Sequence, residues 1–177
     1  MAFTNPRENL KHLQLSDGMI VADLGAGTGG YSVPAAREVD SGKVYAIDIQ
    51  KDLLEKLQNE AVNNGISNIE IVWADLEKDG GSGLRDGSVD ALIISNTLFL
   101  VENKEIFIKE AYRILRQAGQ ALVVEWSESF GGLGPQTDQI FSEDSAKKLF
   151  KENNFSVEKD LPNAGEHHYG FIAKKLS

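Results

Sequence analysis

Three carboxylates and one glycine-rich run hold most of the chemistry that can be read from this sequence. The run is Val21-Ala22-Asp23-Leu24-Gly25-Ala26-Gly27-Thr28-Gly29-Gly30. Gly25, Gly27 and Gly30 fit G-x-G-x-x-G, a pattern that lets backbone come close to a ligand. By itself the pattern fits a pyrophosphate as well as other ligands. Asp23 argues against a pyrophosphate, because two like charges a few ångström apart at a partly shielded site repel by roughly a few kcal/mol. The pairing suits a ligand without phosphates and with positive charge near the loop. Asp48 closes the next apolar run, and an acid there accepts hydrogen bonds from a ribose 2′,3′-diol. Asp75, in Trp73-Ala74-Asp75-Leu76, can accept from an adenine amino group while a neighbouring backbone N–H meets a ring nitrogen. Taken singly, each acid reads equally well as a helix cap or a turn residue. Three of them in succession, the first beside the glycine run, make coincidence a poor explanation.

The elements that must position these residues follow from the apolar pattern. Asn5-Pro6-Arg7-Glu8 has a capping residue, a proline at the first helical position and a glutamate three residues after the cap, so a helix is expected to about Leu13. Met19 to Leu24 is a short apolar run ending at glycines, the pattern of a buried parallel strand. Helices are expected over 31–39, 51–63 and 103–116, with a further one capped by Ser142. Strands are expected over 43–49, 69–74, 89–95 and 120–126, and residues 79–83 read as a mobile glycine-rich loop. Phe155 to Lys159 and His168 to Lys174 read as an antiparallel pair. The expected order is a helix, five strand–helix repeats and a closing hairpin. This is an α/β fold: a doubly wound, Rossmann-like, seven-stranded sheet, mostly parallel with a C-terminal antiparallel hairpin. The glycine run then lies at the carboxyl edge of the sheet, where open α/β folds bind ligands.

The 177 residues suit one domain, residues 1–177, with the helix in 1–14 as a possible lid. No cysteine is present, which excludes disulfides, thiolate metal sites and a cysteine nucleophile. The polar start shows no signal peptide, and no apolar run reaches the ~20 residues of a membrane helix, so a cytoplasmic protein is expected. A net charge of −9 argues against a nucleic-acid partner, which would require phosphates to be neutralised by Lys and Arg. The expected partner is a small-molecule acceptor, with no nucleic acid and no membrane, for a monomer or homodimer.

S-adenosylmethionine satisfies the demands of the three acids: it has adenosine, an ammonium and a sulfonium, and no phosphate. Asp23, Gly25, Ala26, Gly27, Thr28 and Gly29 would hold its methionine side, Asp48 its ribose and Asp75 its adenine. Ile49, Ala74, Leu76 and Asn96 complete the expected cofactor-binding set, while Gly30 mainly opens the following helix. A nicotinamide-dependent oxidoreductase and a cofactor-binding module without turnover are the rival readings. Trp126, Phe130 and Tyr169 are candidates to contact the acceptor. His167 and His168 are candidate bases, imidazole being the side chain that titrates near neutrality. They make a poor metal pair, since adjacent strand residues point to opposite faces and no third ligand accompanies them, so no metal is expected. His12 reads as exposed or packed, on a helix that could cover the cofactor together with Phe3.

The chain resembles the class I S-adenosylmethionine-dependent methyltransferases, and is similar to the ubiquinone/menaquinone-biosynthesis type that acts on small molecules. The residues that carry the resemblance are Asp23 to Gly29, Tyr45-Ala46-Ile47-Asp48, Ala74-Asp75-Leu76, Asp86-Gly87-Ser88-Val89-Asp90 and Leu115-Arg116-Gln117-Ala118-Gly119-Gln120. Gln117-Ala118-Gly119 stands where such families usually have Pro-Gly-Gly, a departure in a turn. The resemblance covers residues 15–175 and implies in-line transfer of a methyl group from the sulfonium to an acceptor. Such a displacement can gain much from proximity and orientation alone. A general base is needed only when the acceptor arrives protonated.

Overall fold

The structure, a computed structural model, describes residues 4–132 and 134–177. The strands are β1 (Ile20–Leu24), β2 (Lys43–Asp48), β3 (Ile69–Trp73), β4 (Val89–Ser95), β5 (Leu115–Trp126), β6 (Phe155–Asp160) and β7 (His168–Lys175). The helices are α1 (Pro6–Leu10), α2 (Ser32–Val39), α3 (Lys51–Asn63), α4 (Lys104–Ile114) and α5 (Glu143–Glu152). One sheet holds all seven strands in the order β3-β2-β1-β4-β5-β7-β6. β1 to β5 run parallel, and β7 lies antiparallel to both β5 and β6. This is the Rossmann-like class read from the sequence. The chain reverses its direction of travel across the sheet between β1 and β4, and such a switch point opens a crevice at the carboxyl ends of the strands.

Central strands buried on both faces must be apolar throughout, and Val21, Ala22, Leu24, Leu92, Ile93 and Ile94 are fully buried. Alternate residues separate into two cores. Leu24, Ile94 and Val123 pack with α4 and α5 on one face. Val21, Ile93, Leu122 and Val124 pack with α1 and α2 on the other.

Three expectations are corrected. No helix lies between β3 and β4: residues 74–88 are turns and bends, so the strand–helix repeat is interrupted there. The stretch 79–83 is tied down, because buried Glu110 of α4 accepts from the Ser82 N–H at 2.9 Å and is paired with Arg113 at 2.7 Å. The expected helix end at 116 gives way to strand at Leu115. Register jumps from Val89↔Leu115 to Ala91↔Gln120, and the intervening residues bulge outward with Ala118 in the left-handed region (φ 59°).

Candidate active site

The glycine run leaves β1 and enters α2 with most of its backbone N–H groups already committed. Gly25 and Ala26 both donate to the Ile47 carbonyl, at 2.8 and 3.0 Å, and Gly29 donates to Ala26 at 3.0 Å. Gly27 donates to Asp48 Oδ2 at 2.9 Å. A loop built to cradle a pyrophosphate presents such groups outward to the anion; this one turns four of them inward. Its glycines also differ in purpose. Gly25 has φ 82°, and a β-carbon there would run into the Thr97 side chain. A β-carbon on Gly29 would come within 2.8 Å of Leu57 of α3. Gly27 faces open space.

That space is a cleft of about 350 Å³ lined by Asp23, Gly25, Ala26, Gly27, Thr28, Gly30, Asp48 and Asn96, among others. It thus brings together two of the three acids with most of the loop. Asp23, at the end of β1, is 2% exposed and accepts from the Ser32 hydroxyl at 2.6 Å. Burial pushes its carboxyl up to about 7, opposed by the Ser32 bond and reinforced by the neighbouring Asp48. Asp48 is fixed by two backbone donors, Gly27 on one oxygen and Gln50 (2.9 Å) on the other. No Lys or Arg is among the described residues that line the cleft. The site is therefore negative, and what it can do chemically is hold a cation next to a polyol.

The remaining expected cofactor residues, Asn96 apart, lie outside the described cleft lining. Gly29 packs on α3, while Gly30, read as a helix opener, lines the cleft. Ile49 is 59% exposed beside it, with its carbonyl held by the Trp73 indole N–H at 2.9 Å. Ala74 donates its N–H to the Asp48 carbonyl, and Leu76 is a core residue. Asp75 is outside the cleft lining. It accepts from the Glu77 N–H at 3.0 Å and pairs with Lys78 at 3.2 Å, which holds its carboxyl below the usual range. Asn96, after β4, has left-handed backbone (φ 53°) and a buried side-chain oxygen without a partner.

One residue of consequence escapes the sequence reading. Glu125 on β5 is 1% exposed, and its Oε2 accepts from the Phe99 N–H at 3.0 Å. It anchors the turn that follows Asn96, and burial pushes its carboxyl up to about 8. The available signal was a lone acid inside the apolar stretch Ala121-Leu122-Val123-Val124-Glu125-Trp126.

The acceptor candidates divide between the two faces of the sheet. Trp126 packs against His168 with centroids 4.2 Å apart, and Gly134 lies against its ring, so this indole is already enclosed. Phe130 stacks on His167 at 4.1 Å. Tyr169 belongs to the core on the α4 and α5 side, where its hydroxyl donates to the Phe141 carbonyl at 2.8 Å. His167 pairs with Glu128 at 2.7 Å. Phe3 lies outside the described residues. Among the described residues no group of three His, Cys, Asp or Glu is placed to hold a metal, and no helix is long and apolar enough to cross a membrane.

A mostly parallel sheet with a negative, nucleoside-sized cleft at its switch point defines an α/β protein with a site suited to a small cationic ligand. Comparison with known proteins supplies the family. The methyltransferase-domain family matches residues 15–171, and the chain belongs to it, with the class I, S-adenosylmethionine-dependent architecture. The ubiquinone/menaquinone biosynthesis C-methyltransferase of Escherichia fergusonii is 36% identical over 116 residues, which cover 63% of this chain and 44% of that relative. The chain thus matches less than half the length of this relative. A solved S-adenosylmethionine-dependent methyltransferase from Aquifex aeolicus superposes with a TM-score of 0.88 at 24% identity, covering 98% of this chain and 91% of that one. A solved [4+2]-cyclase, SpnF, gives 0.81 at 15% identity, covering 97% and 79%, so the fold extends beyond one reaction.

Proposed function

We propose that this chain transfers a methyl group from S-adenosylmethionine to a small-molecule acceptor. The observation that carries the reading is the inward commitment of the loop N–H groups together with Asp23 and Asp48 in one cleft whose described lining holds no Lys or Arg. Asp23 takes the ammonium, and Gly25 to Thr28 give the methionine portion room. Asp48 accepts from the ribose hydroxyls. Ile49 offers an apolar surface to the adenine, with Ala74, Asp75 and Leu76 along its edge and Gly29 supporting the loop from behind. Asn96 stands where the methyl group would point. The chain, residues 1–177, is one methyltransferase domain, and its N-terminal helix is the lid. The same reading places the protein in the cytoplasm, as a monomer or homodimer with no nucleic-acid or membrane partner.

Titration calorimetry with S-adenosylhomocysteine is the direct test. The wild type should bind it and ignore NAD(H). Asp48→Ala should weaken binding roughly 30-fold or more, since hydrogen bonds to a charged group contribute about 1.5–3 kcal/mol each. A wild type that binds NAD(H) in preference, or binds neither, overturns the proposal.

A further inference from the structure

At the carboxyl edge of the sheet, Asn96 Oδ1, Glu125 Oε1 and His168 Nε2 are buried without hydrogen-bond partners. Unpaired buried polar atoms are costly and call for an explanation. Asn96 Oδ1 is not basic, and Glu125 lies on the α4 and α5 side of the sheet with its other oxygen held by the Phe99 N–H, whereas His168 carries an imidazole. Its Nδ1 lies 2.7 Å from the Glu166 carbonyl. A carbonyl can only accept, so Nδ1 carries the proton. Burial holds the ring below the ordinary imidazole range, opposed by the Glu166 bond and reinforced by His167, which favours the neutral form. A neutral imidazole with its proton on Nδ1 has a bare lone pair on Nε2. The Trp126 contact fixes the ring. Trp126 and His168 are register partners, and alternation from Val124 puts both on the sheet face that carries Asp23 and Ser95. His167, by contrast, has a carboxylate partner in Glu128.

We propose that His168 Nε2 is the proton acceptor of the reaction, and that the acceptor substrate is a neutral hydroxyl compound of the phenol or enol kind. The inference rests on the methyl-transfer reading above. The acceptor oxygen bonds to the methyl carbon while the carbon–sulfur bond breaks with its electron pair remaining on sulfur. His168 takes the hydroxyl proton in the same step and returns it to solvent afterwards. One positive charge moves from sulfonium to imidazolium, and the products are the methyl ether and S-adenosylhomocysteine. A thiol ionises near neutrality without such help, and an ammonium acceptor would set a second cation beside the sulfonium.

The test uses the full chain with S-adenosylmethionine and a panel of phenols, enolisable 1,3-diketones, amines and thiols, read by mass spectrometry of methylated product. Turnover should fall on the phenols or enols. His168→Phe keeps a ring against Trp126 and should retain S-adenosylhomocysteine binding within about threefold while losing roughly 10²–10⁴ in rate. His168→Ala should lose as much and recover part of it with added imidazole. Wild-type turnover by His168→Phe, or turnover confined to amines and thiols, overturns the inference. So does a wild type that binds S-adenosylhomocysteine yet methylates no phenol or enol. Failure of the wild type to bind S-adenosylhomocysteine instead removes the methyl-transfer reading, and the inference with it.

Discussion

Asp23 must be ionised to hold an ammonium, yet its surroundings favour the neutral acid. Its carboxyl is raised from 3.8 to about 7, mainly by burial. Folded protein therefore keeps a proton between pH 4 and 7 that the unfolded chain has lost, and stability falls as pH rises through that window. Glu125, raised from 4.5 to about 8, acts in the same direction up to about pH 8. The melting temperature should thus be higher at pH 5 than at pH 8 on their account, and Asp23→Asn should flatten part of that slope. Binding has the opposite sign. A cationic ligand selects the ionised carboxylate, so affinity for S-adenosylhomocysteine should rise about tenfold from pH 6 to pH 8. Calorimetry at pH 6 in buffers of different ionisation enthalpy should show a proton released on binding. Asp23→Asn should bind more weakly and show neither the rise nor the release, and an unchanged pH dependence in that variant would clear Asp23 of the role.

At the scale of elements, the glycine run turns by leaning on its neighbours, and the three positions should fail differently. Gly25→Ala meets Thr97 and strains a positive φ, so it should lose about 2–4 kcal/mol of stability together with ligand binding. Gly29→Ala meets Leu57 and should destabilise α3 packing first. Gly27→Ala has room, and should cost only the roughly 1–2 kcal/mol of left-handed backbone while obstructing the cleft. Denaturant unfolding set beside calorimetry separates the three. The sequence announced the run, its acids and nearly every strand, because buried parallel strands are written as uninterrupted apolar runs. It did not tell a packing glycine from a cleft glycine, since Gly25 depends on Thr97 and Gly29 on Leu57, partners remote along the chain. For the same reason Asp75 looked like Asp48. Only the fold shows that Asp75 lies outside the described cleft lining and also bears Lys78 and the Glu77 N–H, and that Glu110 pins the 79–83 loop across the gap to α4.

The whole molecule is closed by its first described residues. Thr4 and Pro6 line the cleft, and Thr4 forms an isolated bridge with Gly165 in the β6–β7 connection. Asn5 caps α1 through the Glu8 N–H at 3.4 Å. Asn9, 2% exposed, donates to the Tyr31 hydroxyl at 2.9 Å and to the Ala164 carbonyl at 2.7 Å, while Leu10 and Leu13 enter the core on that face. One side chain thus ties the N-terminal segment to α2 and to the loop that leads into His168. On the reading of this segment as a lid, Asn9→Ala should do two things. It should cost about 1–3 kcal/mol, because the Ala164 carbonyl and the Tyr31 hydroxyl lose a buried donor. It should also speed dissociation of S-adenosylhomocysteine in stopped-flow measurements, because the wall made by Thr4 and Pro6 opens more readily. Hydrogen exchange adds an independent readout: ligand should protect residues 5–13 and 164–168 in the wild type and much less in the variant. A variant that loses stability but releases the ligand at the wild-type rate would show that the segment holds the fold together without gating the cleft.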